Sequence, residues 1–186
     1  VIGVILAGGE SRRMGRDKAF LPLGARTLVE TVAWRLREAC DEVVIVARDP
    51  APFQALGLRA LSDALPERRS LVGIYTGLLH AAGPAFVCGC DMPFLCAPLI
   101  RYMGRLAGST DVVMPRLRDY EPLHAVYTPA CLEPVRRVLE LGGRNADILA
   151  DVRARILEET EVRRFDPALR SFVNVNTPEE YAALSR

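Results

Sequence analysis

Residues 1–6 read VIGVIL, an apolar run with no polar residue at alternate positions. A strand with one wet face alternates apolar and polar residues, so an unbroken run belongs to a strand covered on both faces. Comparable runs recur at 42–47 (EVVIVA), 58–61 (LRAL), 85–89 (AFVCG), 111–115 (DVVMP) and 123–127 (LHAVY), with weaker strand candidates at 155–159 and 171–176. Between them lie stretches with helical spacing. In 28–40, Leu28, Val32, Leu36 and Ala39 share one helical face, and Thr27 with Glu30 forms a capping box at its start. Further helices are expected at 51–56, 70–82, 97–107, 130–141 and 146–152, and a last one after the cap Thr177 with Pro178 at its first position. Strands alternating with helices predict an α/β fold with a mostly parallel central sheet and right-handed crossovers.

That architecture places ligands beyond the carboxyl ends of the strands. Three features follow directly after predicted strands: the stretch LAGGESRRMGRDK (6–18), Asp63 and Asp91. All three are therefore expected on one edge. The stretch brings Arg12, Arg13, Arg16 and Lys18 next to Gly8-Gly9, where the missing Cβ lets a ligand approach exposed N–H groups. It reads as a phosphate cradle or as a flexible polar loop. The Walker A spacing and the G-x-G-x-x-G pattern are both missing, which removes the motif for a P-loop kinase or an NAD enzyme. Asp63 is either a turn acid or a ligand contact. Asp91 sits between an apolar strand and Met92-Pro93, where an unpaired carboxylate is expensive. It reads as a Mg2+ ligand, or as an acid interacting with the following helix.

At 186 residues the chain can bury a core as a single domain spanning 1–186. A net charge of +1 gives no global attraction to nucleic acid or anionic membrane, so any polyanion binding must be local. No apolar run approaches the roughly 18 residues that span a bilayer. The opening run lacks the basic flank of a signal peptide. Five cysteines, an odd number, fit free thiols in a reducing, cytoplasmic compartment. Cys88, Cys90 and Cys96 lack the C-x2-C pairs of zinc sites and read as small apolar side chains at a strand end, with metal binding as the other reading. The Glu/Arg mixture from 153 to 164 reads as a solvated face, and His80 and His124 as structural.

The segment LAGGESRRMGRDKAFLPLG resembles the signature of the molybdenum cofactor guanylyltransferases. The likeness continues in SLVGIYTGL (70–78), CGCDMPFL (88–95), EPLHAVY (121–127) and FVNVNTPEEY (172–181). It implies a three-layer Rossmann-like nucleotidyltransferase fold that moves GMP from GTP onto the phosphate of molybdenum-molybdopterin, releasing pyrophosphate. By position it implies GTP contacts at Leu6, Ala7, Gly8, Gly9, Lys18, Asp63, Gly73 and Asp91, with Mg2+ on Asp91 and catalytic roles for Arg13, Lys18 and Asp91. Gly15 falls on a further motif position. Asn174, Asn176 and His124 are candidates for the pterin or second substrate. The two asparagines, alternating along a predicted strand, read equally as turn chemistry before the last helix. Two positions depart from the pattern: Val46 where some members carry Asn near the nucleotide, and Ser70 in place of the usual Pro. Implied partners are GTP and molybdenum-molybdopterin, with molybdoenzymes or their chaperones downstream. The rival readings are a cytidylyltransferase for the same pterin, a sugar-phosphate nucleotidyltransferase, and a non-catalytic nucleotide-binding assembly adaptor.

Overall fold

Apolar runs and capped amphipathic stretches settle into a layered α/β arrangement. The computed structural model describes residues 1–7, 18–67 and 69–184. In chain order, β1 (Ile2–Leu6) is followed by the short hairpin β2 (Pro22–Leu23) and β3 (Arg26–Thr27), then α1 (Leu28–Arg37) and β4 (Glu42–Ala47). Next come α2 (Ala51–Gln54), β5 (Ala60–Ser62), α3 (Ser70–His80), β6 (Ala85–Gly89) and α4 (Ala97–Leu106). Then follow β7 (Val112–Arg116), β8 (His124–Tyr127), α5 (Leu132–Glu140), β9 (Ala154–Glu158), α6 (Glu159–Val162) and α7 (Pro178–Leu184). Among the described residues, seven strands form one sheet in the order β5-β4-β1-β6-β8-β7-β9. All its pairings are parallel except those of β8, which runs antiparallel to both β6 and β7.

The unbroken apolar runs are explained by two cores, one on each face. Side chains alternate across a strand, so Ile5, Ile45, Phe86 and Cys88 pack with α1 and α4 residues such as Val32 and Leu99. Val4, Val44, Val46 and Val87 pack on the other face with Leu71, Ile74 and Leu78 of α3 and Val135 of α5. The sheet is thus the middle of three layers. The capping box forms as expected: Thr27 Oγ1 accepts from the Glu30 N–H and Glu30 Oε2 accepts from the Thr27 N–H at 2.7 Å. Glycine is needed where α3 lies on β1. A Cβ at Gly73 would come within 2.8 Å of Leu6 Cδ2, and one at Gly77 within 2.7 Å of Val4 Cγ1. None of the helices among the described residues is long and apolar enough to cross a membrane.

Several expectations need correction. The β2–β3 hairpin, turned at Gly24 with φ 62°, was not foreseen. In place of the helix expected at 146–152 there is a 3-10 turn, Asn145–Ala150. Within the supposed solvated face, Glu161 is held at 2.7 Å by Arg155 and receives the Tyr102 hydroxyl at 2.6 Å. The strand expected at 171–176 does not form. Leu169 takes the left-handed conformation with φ 52°, and the Asp166 carboxylate accepts from the Arg170 and Ser171 N–H groups. These fix a 3-10 turn, Arg170–Phe172, and the chain then runs on extended but outside the sheet. His80 is the last residue of α3.

His124 is fully buried in β8, 5.0 Å edge-on from the Phe86 ring and 4.4 Å from the Phe172 ring. Neither ring nitrogen has a hydrogen-bond partner in this pocket. Burial holds the imidazole neutral and lowers its pKa from 6.5 to about 3. With the folded value below the unfolded one, its contribution is complete above pH 6.5 and is lost as pH falls toward 3. His124→Phe, which cannot titrate, is expected to gain about 2 kcal/mol relative to the parent between pH 8 and pH 5. Urea unfolding at the two pH values measures this. An unchanged difference would show that His124 does not supply the acid sensitivity.

Candidate functional site

The carboxyl ends of β1, β4, β5 and β6 converge on a cleft of about 790 Å³. Strand order explains why it lies there. From β1 the chain crosses outward through β4 to β5, then returns over α3 to place β6 on the opposite side of β1. The crevice at such a reversal is where open α/β sheets bind ligands. Leu6, Ala7, Lys18, Asp63, Gly73 and Asp91 all border it, so these candidates are brought together. Gly8, Gly9, Arg12, Arg13, Gly15 and Arg16 lie outside the described residues.

The central contact joins residues 73 positions apart: Lys18 Nζ sits 2.6 Å from Asp91 Oδ2. Each side chain is only 17% exposed, so solvent screens the pair weakly. The compensating cation for the Asp91 carboxylate thus comes from the far end of the glycine-rich stretch. Lys18 also donates to Asn176 Oδ1 at 3.0 Å. The Val175 N–H donates to the Asp91 carbonyl at 2.9 Å, which ties the C-terminal segment to the end of β6. Gly89 makes room for the Asp91 carboxylate, since a Cβ there would collide with Oδ1.

The other wall is built around Asp63. Its N–H donates to the Ala47 carbonyl at 3.2 Å. The loop after it is pinned to α3 by the Ala64 N–H donating to Thr76 Oγ1 at 2.9 Å. Thr76 is fully buried and donates in turn to the Val72 carbonyl at 2.8 Å, so its hydroxyl is spent on positioning this loop. Partial burial raises the Asp63 pKa, and the Arg48 charge partly offsets the rise. Arg48, Ser62, Arg69 and Ser70 border the cleft as well and were not among the sequence candidates. Arg48 and Ser62 stand at the ends of β4 and β5, so the strand-end rule could have found them.

The remaining candidates divide. Asn176 joins the Lys18–Asp91 contact through its side chain. Asn174 is exposed on the extended segment beside it, with Val175 between them fully buried. His124 is sealed between Phe86 and Phe172, so it cannot touch a ligand in this arrangement. Val46 is buried at the cleft floor, and its carbonyl accepts the Ala7 N–H at 2.9 Å. The Leu6 carbonyl accepts from Cys90 at 3.1 Å. These groups of Leu6 and Ala7 therefore already serve the sheet.

The MobA-like NTP transferase domain profile matches residues 3–157. The chain belongs to that family. It is 40% identical over 185 residues to the molybdenum cofactor guanylyltransferase of Desulfosudis oleivorans, which covers 97% of this chain and 92% of that one. It is 37% identical over 181 residues to a probable molybdenum cofactor guanylyltransferase of Pelotomaculum thermopropionicum, covering 96% and 88%. Among solved structures, molybdopterin-guanine dinucleotide biosynthesis protein A from Archaeoglobus fulgidus aligns with a TM-score of 0.86 at 26% identity, over 100% of this chain and 97% of that one. The 4-diphosphocytidyl-2C-methyl-D-erythritol synthase of Anaerococcus prevotii, 11% identical with a TM-score of 0.73 over 99% and 93%, shares the fold.

In this MobA-like transferase none of the five cysteines is in a disulfide, and Cys88, Cys90 and Cys131 are buried. Among the described residues no three His, Cys, Asp or Glu side chains gather around one point. Asp91 thus stands as a single carboxylate, paired with a lysine, at the mouth of a nucleotide-sized cleft. Gly89→Ala is expected to keep the fold, because the collision falls on one side chain, yet to lower nucleotidyl transfer about tenfold or more by moving the carboxylate. Thermal melting and a pyrophosphate-release assay separate the two effects. Parent-like turnover in a folded variant would show that the carboxylate position does not matter.

Proposed function

We propose that the chain transfers GMP from GTP to the phosphate of molybdenum-molybdopterin, forming molybdopterin guanine dinucleotide and releasing pyrophosphate. The observation that carries this reading is the convergence of Lys18 and Asp91 at the cleft mouth. It occurs in a chain 40% identical over nearly its whole length to a molybdenum cofactor guanylyltransferase. Relatives named for guanine weigh against the cytidine, sugar-phosphate and adaptor readings.

A phosphate oxygen of the acceptor forms a bond to the α-phosphorus of GTP. The bond from that phosphorus to the β-phosphate oxygen breaks, and its electron pair leaves with pyrophosphate. An acceptor phosphate is already ionised near neutral pH, so no general base is required, and burial of His124 is consistent with this. The chain's task is to hold two anions together and to neutralise developing charge. Lys18 turns its ammonium from Asp91 to the phosphates, and Arg13 with the glycines Gly8 and Gly9 completes the phosphate contacts. Asp63 and the start of α3 hold the base, and Asn174 and Asn176 face the second substrate.

The donor set fits Mg2+. Asp91 offers one hard carboxylate without further protein ligands among the described residues, and Mg2+ takes one or two carboxylates plus phosphate oxygens and water. Bound there, Mg2+ would neutralise phosphate charge and ease departure of pyrophosphate.

Pyrophosphate release should be measured with molybdenum-molybdopterin, Mg2+ and GTP, CTP or ATP in turn. The reading expects GTP to be favoured by about 100-fold or more, since a site that hydrogen-bonds its ligand leaves groups unpaired with the wrong base. Equal use of CTP, or a preference for it, would overturn the guanylyl assignment and leave nucleotidyl transfer standing.

A further inference from the structure

Helix α3 meets the cleft with its first turn, and that turn is unusual in how it is held. Arg69 at the cap position makes no side-chain capping bond to the helix. Its guanidinium reaches away to the Gly143 carbonyl. Ser70, the first helical residue, borders the cleft, and its Oγ accepts a hydrogen bond from Asn145 Nδ2 at 2.8 Å. Two bonds from the 143–145 segment thus clamp consecutive residues at the start of α3.

A serine hydroxyl accepts and donates. With Asn145 supplying the bond that Ser70 Oγ accepts, the hydroxyl proton remains available for an acceptor in the cleft. Asp63 borders the same cleft and is an acceptor when ionised. Guanine needs this combination along one edge: a donor for O6 and acceptors for N1–H and the 2-amino group. Cytosine and adenine reverse it, presenting an amino group where guanine has O6 and a bare ring nitrogen where guanine has N1–H. The Ala7 N–H is not available as the donor for O6, because it is already committed to the Val46 carbonyl.

We propose that Ser70, oriented by Asn145, is a base-specificity residue whose hydroxyl donates to O6 of the bound guanine, with Asp63 accepting from the neighbouring ring N–H. The assignment rests on the guanylyltransferase reading above and names the groups that read the base. Ser70 touches the nucleotide, and Asn145 is a positioning residue acting through it.

The test uses calorimetry with Mg2+ and three nucleotides: GTP, ITP (O6 and N1–H kept, 2-amino group lost) and 2-aminopurine riboside triphosphate (2-amino group kept, O6 and N1–H both lost). Ser70→Ala and Ser70→Pro are the key variants, and proline is tolerated at a first helical position, so the second preserves α3. Both are expected to weaken GTP and ITP binding about 5- to 10-fold, the size of one neutral hydrogen bond, and to leave 2-aminopurine nucleotide binding unchanged. Ser70→Thr should restore GTP and ITP, and Asn145→Ala should give a smaller loss with the same nucleotide pattern. An equal loss for all three nucleotides, or no loss for any, would overturn the proposal. Failure of the underlying reading looks different: the unmutated chain would then bind CTP as well as GTP.

Discussion

The Lys18–Asp91 pair is the contact on which the site depends, because it closes the cleft mouth from two directions. Lys18 ends the glycine-rich stretch that follows β1 in sequence, and Asp91 lies just beyond the end of β6, on the other side of the sheet's reversal. Asn176 adds a third bond to Lys18, and the Val175 N–H holds the Asp91 backbone, so the C-terminal segment belongs to the same assembly. With both side chains largely removed from water, losing one partner leaves a charge with poor compensation, a larger effect than breaking a surface pair. The arrangement also keeps two charged groups ready. On the proposed function, a magnesium nucleotide would supply a ligand to each, phosphates to the lysine and the metal to the carboxylate.

Everything behind this pair is rigid support. The two cores on either face fix the strands whose ends carry the functional residues, and Gly73 and Gly77 let α3 lie close on β1. The loop after Asp63 is not left to itself: Thr76, buried inside α3, holds Ala64. Base-side and phosphate-side groups are therefore referenced to one helix and one sheet. A transfer reaction that relies on positioning two anions needs that common frame.

Much of this was legible in the sequence, for identifiable reasons. The unbroken apolar runs gave β4 and β6 to the residue, because burial on both faces writes itself directly into composition. The strand-end rule brought Asp63, Asp91 and the described ends of the glycine-rich stretch, Leu6-Ala7 and Lys18, to one edge without any contact information. Less legible was whatever depends on contacts distant in sequence. The cation beside Asp91 lies 73 positions away, and nothing local announces it. The segment 171–176 has the alternation of a strand, but Asp166 and the left-handed Leu169 bend it into a 3-10 turn, where Phe172 packs on His124. His124 read as structural, with a second-substrate contact as the other reading, and the Phe86 and Phe172 rings around it place it in the core. Ser70 gained meaning only when Asn145, 75 positions away, proved to hold its hydroxyl.

Lys18 and Asp91 hold each other in the free protein, and on the proposed function they exchange that contact for a magnesium nucleotide during the reaction. A double-mutant cycle of Lys18→Met and Asp91→Asn, read by unfolding free energy with and without saturating Mg2+ and GTP, tests this exchange. A coupling energy between the two sites is expected in the free protein and is expected to disappear when the nucleotide is bound. A coupling of the same size in both conditions would contradict it, and would make the pair a structural brace rather than a pair of ligand-binding groups.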